Sequence, residues 1–211
     1  MRASCLLPTL ALSLGCAPAI TGSGKVVEDQ RALSPFSAVA VSGHLNLKLE
    51  LGPEQRVVIV GDDNIVPLIE ATVSGGKLRL SSTRSYRSKE DVTVKIVVPK
   101  LEGLDLSGAT DAYLSKLDGP ELSVNVSGAA KVSLDGHIDH LLLDLSGASE
   151  IDGFGLKAKA VNVRASGAGD VKVYASESLE VMASGAVSVE VSGDPKNVSQ
   201  NVKGAATITR R

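Results

Sequence analysis

Five serines stand at Ser107, Ser127, Ser146, Ser166 and Ser184, in steps of 20, 19, 20 and 18 residues. A serine nucleophile needs one hydroxyl beside one base, held by a third group. A ladder of serines with no matching ladder of histidines does not supply that, so these hydroxyls read as structural. His137 and His140 flank Ile138-Asp139. Two imidazoles and a carboxylate are zinc ligands, but a structural site wants four in tetrahedral array, and no further ligands accompany them. Solvent-facing histidines are the simpler reading, and His44 lies far off in sequence. Polar side chains recur at the same beat: Asp105, Asn125 and Asp144 in one series, and the carboxylates Asp111, Glu150 and Asp170 in another. Such acids can bind calcium or act as a glycosidase pair. Lys131 interrupts the second series, and no aromatic platform for a sugar accompanies either one. No catalytic residue, metal site or cofactor is therefore assigned.

Each repeated serine is followed by Gly and Ala: Gly108-Ala109, Gly128-Ala129, Gly147-Ala148, Gly167-Ala168 and Gly185-Ala186. Lys203-Gly204-Ala205 continues the beat. A period near 20 residues is the signature of a stacked repeat architecture. Before each serine, apolar and polar residues alternate, as in Leu104-Asp105-Leu106 and Val124-Asn125-Val126. Alternation resumes afterwards, with Ala112, Val132, Ile151, Val171, Val189 and Ile208 at one shared position. Each unit is thus strand, bend, strand and loop, over residues 101–208. Two all-β folds fit: an antiparallel meander with Ser-Gly as a hairpin turn, or a parallel β-helix, a solenoid with about 20 residues per coil. The solenoid fits better, because only stacking demands the same residue at the same height in every unit. In that reading Gly makes the corner, Ala points into it, and the serine ladder bonds backbone groups. The scarcity of rings (no Trp, two Phe, three Tyr) suits a flattened core.

The chain has 211 residues, 22 basic against 24 acidic side chains and no basic stripe, which disfavours nucleic acid as a partner. Residues 1–15 read as a signal peptide: Arg2, an apolar run from Leu6 to Leu14, then Gly15 before Cys16. A small residue before Cys resembles the bacterial lipoprotein processing box, although Ser13 departs from its usual aliphatic residue. Lipidation at Cys16 would tie the chain to the membrane, and Cys5 would leave with the signal. Ala17 to Val27 is small and Gly-rich and reads as a tether. Phe36 to Leu51 alternates and carries an early bend at Ser42-Gly43. Arg56 to Val60 is a strand, and Asp62 to Ala71 is a helix candidate limited by Pro67. Gly75-Gly76 marks a hairpin, Ser81 to Asp91 a solvated loop, and Val92 to Val98 a strand ended by Pro99.

Gly22-Ser23-Gly24, Phe36 with Val39-Ala40-Val41-Ser42-Gly43, Asp62-Asp63-Asn64, Gly76-Lys77-Leu78, Val98-Pro99-Lys100-Leu101 and Leu106-Ser107-Gly108 follow one another in a known order. With them the chain resembles the family of the putative auto-transporter adhesin, head GIN domain, over about residues 20–208. The resemblance implies a β-helical domain, usually right-handed, exported and often lipid-anchored in the bacterial envelope. It carries no catalytic residues. The expected layout is 1–15 signal peptide, 16–35 tether with the first family motif, and 36–211 one domain. The expected role is a non-enzymatic, outer-membrane-anchored lipoprotein with an adhesive or binding surface. Its partner would be a glycan or another envelope protein. The alternative is a carbohydrate-active β-helix enzyme, a polysaccharide lyase or hydrolase, which would require a cleft with convergent acids and a base.

Overall fold

The computed structural model describes residues 18–211. Its elements are almost all strand: β1 (Ile20–Thr21), β2 (Val26–Arg31), β3 (Ala38–Leu51), β4 (Arg56–Asp62), β5 (Ile69–Ser74), β6 (Lys77–Ser82), β7 (Tyr86–Arg87), β8 (Thr93–Val98), β9 (Gly103–Ser192), β10 (Asn197–Gly204) and β11 (Thr207–Arg210). A single 3-10 turn spans Val66–Leu68. The fold is all-β, with large sheets and no closed barrel.

The 90 residues of β9 would reach about 300 Å if straight, at roughly 3.3 Å per residue. They cannot run straight, because residues about 20 apart touch. Gly108, Gly128, Gly147, Gly167 and Gly185 each lie against the backbone of the preceding corner glycine, starting from Gly43. Asn125 bonds Asp105, Ser146 bonds Val126 and Lys131 pairs with Glu150 at the same offset. At both ends of β9 the partners are parallel: Gly43 registers with Gly108, and Gly204 with Gly185. An antiparallel meander would pair them the other way.

The interior is a set of aliphatic ladders. One runs Val41, Leu106, Val126, Leu145, Ala165 and Ala183; another runs Leu47, Ala112, Val132, Ile151, Val171 and Val189. Removing this apolar surface from water is the main stabilising term. The N-terminal end is built differently. β3 lies between β9 and the pair β6 and β8, all parallel. Antiparallel strands then cover the outer side, with β5 on β6, β4 on β8 and β2 on β4. Gly75 and Gly76, both at positive φ, make the expected hairpin between β5 and β6.

Several expectations need correction. The alanine of each Ser-Gly-Ala unit does not point into the corner: Ala109, Ala129, Ala148, Ala168 and Ala186 are exposed. The reason is parity. Leu106 and Thr110 both face inward, four residues apart, so Ala109 falls on the outward beat. Glycine occupies the intervening inward beat and is turned outward by its positive φ. The side chain that enters the corner is the next one: Thr110, Ala130, Ser149 and Val187 are all buried. The candidate helix shrinks to one turn, because Pro67 opens it, Ile69 is already extended, and no side chain caps it. The expected tether is instead in strand from Ile20, where β1 pairs with β7 and β2 with β4. That same pairing orders the stretch expected as a solvated loop.

The corner glycines give a direct test. Gly128 has φ +127°, and a Cβ there would sit 2.5 Å from the Gly108 carbonyl oxygen. Gly128→Ala should therefore destabilise by about 3 kcal/mol, from backbone strain plus overlap. Ala148→Leu, on an exposed position, should change stability by no more than ~0.5 kcal/mol. Urea melts of the two variants check both; equal losses would refute the outward placement of alanine.

Candidate functional surface

Since alternate residues of every strand face out, the repeats set outward residues side by side in columns. Asp105, Asn125 and Asp144 line one shallow depression together with Ser107, Ser127 and Ser146, as the sequence spacing anticipates. Asp105 accepts from Lys77 Nζ at 2.7 Å and from Asn125 Nδ2 at 2.8 Å. Burial pushes its carboxyl up, but the bonds from Lys77 and Asn125, with the charges of Lys77 and Arg79, hold it below the ordinary 3.8. In the second column Lys131 meets Glu150 at 3.1 Å. Lys159 meets Asp139 at 2.6 Å, and this bond holds Asp139 below, and Lys159 above, the ordinary values. Asp105, Glu150 and Asp139 are thus each matched with a lysine from another part of the chain.

The repeat serines are exposed. Ser107, Ser146 and Ser166 donate to the carbonyls of Val41, Val126 and Leu145 on the strand below, at 3.3 to 3.4 Å. A hydroxyl so used joins strands. His137 and His140 are exposed, and no cluster of three or more His, Cys, Asp or Glu able to hold a metal occurs among the described residues. His44 lies 3.4 Å from Asp91. The Tyr86 hydroxyl donates to the His44 carbonyl at 2.5 Å, and burial, with the Asp91 charge, pushes that phenol up to about 12. Tyr86 thus pins its segment against the early bend instead of projecting from a loop. Cys16 lies outside the described residues.

Two of the motifs behind the family resemblance meet in space. Asp62 accepts from Gly24 N at 3.0 Å and from Ser88 Oγ; Asp63 accepts from Ser23 Oγ at 2.6 Å; Asn64 accepts from Ser23 N and donates to Thr21 O. Gly22 packs so closely on Asp62 that a Cβ would collide with its carboxylate. Asp62-Asp63-Asn64 is therefore a clasp around residues 21–24, its oxygens occupied by N–H and O–H donors.

One feature has no counterpart in the sequence reading. Four segments about 19 residues apart, at 140–142, 160–162, 178–180 and 196–199, line a groove of about 840 Å³. Asn162 Nδ2 donates to Glu180 Oε2 at 2.7 Å across its floor. Ser178 registers with Asn197, and Glu180 with Ser199. His140, Leu142 and Lys196 complete the walls. These side chains differ in type from repeat to repeat, so the periodicity that exposes the serines hides them.

The model of the family described as putative auto-transporter adhesin, head GIN domain matches residues 35–195. No curated protein matches the chain. Among solved structures, a putative adhesin from Bacteroides fragilis NCTC 9343 superposes with a TM-score of 0.73 at 22% identity, covering 92% of this chain and 100% of its own. A putative lipid binding protein from Parabacteroides distasonis ATCC 8503 gives 0.56 at 18% identity over the same shares. A putative adhesin from Parabacteroides merdae ATCC 43184 gives 0.51 at 15%, again over 92% and 100%. At these identities the likeness is one of fold.

Asp105 yields a pH prediction. Its folded-state value is depressed, so its contribution is present above the ordinary carboxylate value and is lost as pH falls through the folded value. Asp105→Asn should lower the melting temperature at pH 7 by an amount worth under ~1 kcal/mol, because the half-buried carboxyl is still screened by the solvent it reaches. That deficit should vanish as pH drops below 3.8. Paired melts across this range check it; a deficit independent of pH would remove the charge from the account.

Proposed function

The chain belongs to the family of the putative auto-transporter adhesin, head GIN domain, and from that premise we propose that it is a non-enzymatic, exported envelope protein whose outward faces bind or adhere. The observation that carries this reading is the match across residues 35–195. The geometry supports it. Three of the exposed carboxylates are each engaged by a lysine: Asp105 by Lys77, Asp139 by Lys159 and Glu150 by Lys131. Hydrolysis of the usual kind needs two carboxylates across one scissile bond. Proton abstraction needs a base with a cation beside the developing charge.

In this proposal the parallel strands wind as one right-handed β-helix, a column whose long faces meet a partner at many weak points. Residues 1–15 direct export and Cys16 carries the lipid, so the domain stands on an outer-membrane anchor. The clasp at Asp62-Asp63-Asn64 supports that geometry, because it holds residues 21–24 against the domain a few residues beyond the anchor. The partner is a glycan or another envelope protein.

Surface labelling of cells that express the chain, with attachment assays on a deletion strain, tests the reading. Loss of attachment on deletion is expected. A chain that stays in the cytosol, with attachment unchanged, sinks it. Cys16→Ala should release the protein from the membrane fraction and reduce attachment at equal expression. A membrane-bound Cys16→Ala protein, with no lipid on the wild type by mass spectrometry, would remove the anchor.

A further inference from the structure

We propose that the groove across the last four repeats is a binding site for a neutral, hydroxyl-rich polysaccharide held in extended form. This deepens the surface-binding reading and rests on it. The groove crosses the strand segments at 140–142, 160–162, 178–180 and 197–199. Three strand spacings of about 4.8 Å make it roughly 14 Å long, enough for a short polymer segment rather than one small molecule. Its four segments follow one another at one strand spacing, as the units of an extended polymer follow at a regular step.

The chemistry of the lining selects the ligand. Glu180 and Asn162 are half-buried and bonded to each other, so both are held in place. That bond uses one carboxylate oxygen and one amide hydrogen. It leaves the second Glu180 oxygen, the Asn162 carbonyl and its other N–H for outside partners. Adjacent hydroxyls, each able to donate and accept, match such a set. Ser178 adds a hydroxyl on the same strand as Glu180, and Asn197 and Ser199 add an amide and a hydroxyl on the next strand. Leu142, at 38% exposed, offers an apolar patch for the C–H face of a ring. A few convergent polar groups around some apolar surface is the usual composition of a ligand site.

Charge and backbone narrow the class. Glu180 and Lys196 oppose each other in sign within the groove, so no field gathers a polyanion. An extended peptide binds by adding a strand to a free edge. Within the groove the segment at 178–180 is already paired with 197–199. The open edge of Asn197–Gly204 lies at one end of the groove, where an added strand would run across the groove's direction rather than lie along it. One exposed leucine gives no row of pockets for peptide side chains.

The test titrates the purified full chain with cellohexaose, mannohexaose, xylohexaose, laminarihexaose and chitohexaose, read by calorimetry and saturation-transfer NMR. At least one should bind, and more tightly than its own disaccharide. Glu180→Ala and Asn162→Ala should each weaken it about tenfold, the loss of one well-placed hydrogen bond in a shielded site. Leu142→Arg should block the groove without touching the polar pair, which covers the case that the pair variants lose their fold. Tyr113→Ala, an exposed change on a different sheet face, should bind as wild type does. The inference is overturned if no hexasaccharide binds up to its solubility, if hexagalacturonate or an extended peptide binds in preference, or if groove variants bind unchanged. Failure here with attachment still dependent on the chain would remove this ligand and leave the adhesive reading standing. Failure of both would remove the reading itself.

Discussion

The structure depends on backbone meeting backbone at the corner glycines. From Gly43 through Gly108, Gly128, Gly147, Gly167 and Gly185 to Gly204, each rests on the one before, and each has positive φ. A Cβ at Gly108, Gly128, Gly147, Gly167 or Gly185 would fall on the carbonyl oxygen of the preceding repeat and strain its own backbone as well. Glycine is thus required twice at each step, once by conformation and once by space. Because the constraint acts between repeats, it fixes register along the whole set. A slip of one residue would put a side chain into the column and turn each aliphatic ladder outward. The serines that bond the strand below add to this, but at 3.3 to 3.4 Å they are secondary.

A register fixed this way frees the outward positions. Their side chains need only avoid like charges beside one another, and cross-strand pairs such as Lys131 with Glu150 and Lys159 with Asp139 do so. Exposed pairs of this kind contribute little stability, about 0–1 kcal/mol each. Their effect is to keep long faces nearly neutral. In the proposed reading, binding on such a scaffold comes from which outward residues adjoin, as Asn162 and Glu180 do, and not from a distinct active-site loop. That is why a chain with no catalytic signature can still present a defined polar groove.

This division explains what was legible in the sequence. Strand and bend followed from alternation, and parallel partnering from a glycine at equal height in each repeat. The early bend at Ser42-Gly43 and the Gly75-Gly76 hairpin were readable from two residues each. The small size of the alanine suggests an inward corner position, but parity counted from Leu106 to Thr110 sends it outward. Residues 17–27 read as a tether because small residues suit flexible linkers. The same small residues are what the clasp needs, since Gly22 must pass close to Asp62. Such contacts span about 40 residues and leave no local pattern. The groove was invisible for a related reason. Leu142, Asn162, Glu180 and Ser199 share one position in four repeats and share no chemistry.

The two ends of the structure manage their exposed edges by different means. At the N-terminal end, β2, β4 and β5 run antiparallel and cover the ladder. At the other end the last repeat changes its own composition. Leu104, Val124, Leu143, Val163 and Val181 occupy one buried position, and the residue in register with Val181 is Gln200, which is exposed. Lys203 registers with Ser184. Val202 remains apolar but is 39% exposed, against 3% for its partner Ala183. An aliphatic residue at 200 would extend the core ladder to an open edge, a template for a further strand. A polar amide there, with a charge three residues on, lowers the reward for adding one more repeat. Terminal repeats of stacked proteins need such polar outer faces to stay soluble. The outward beat of this strand keeps the arrangement of the other repeats: Asn197 and Ser199 stand beside Ser178 and Glu180 in the groove, so the change at 200 alters the core edge and leaves that lining in place.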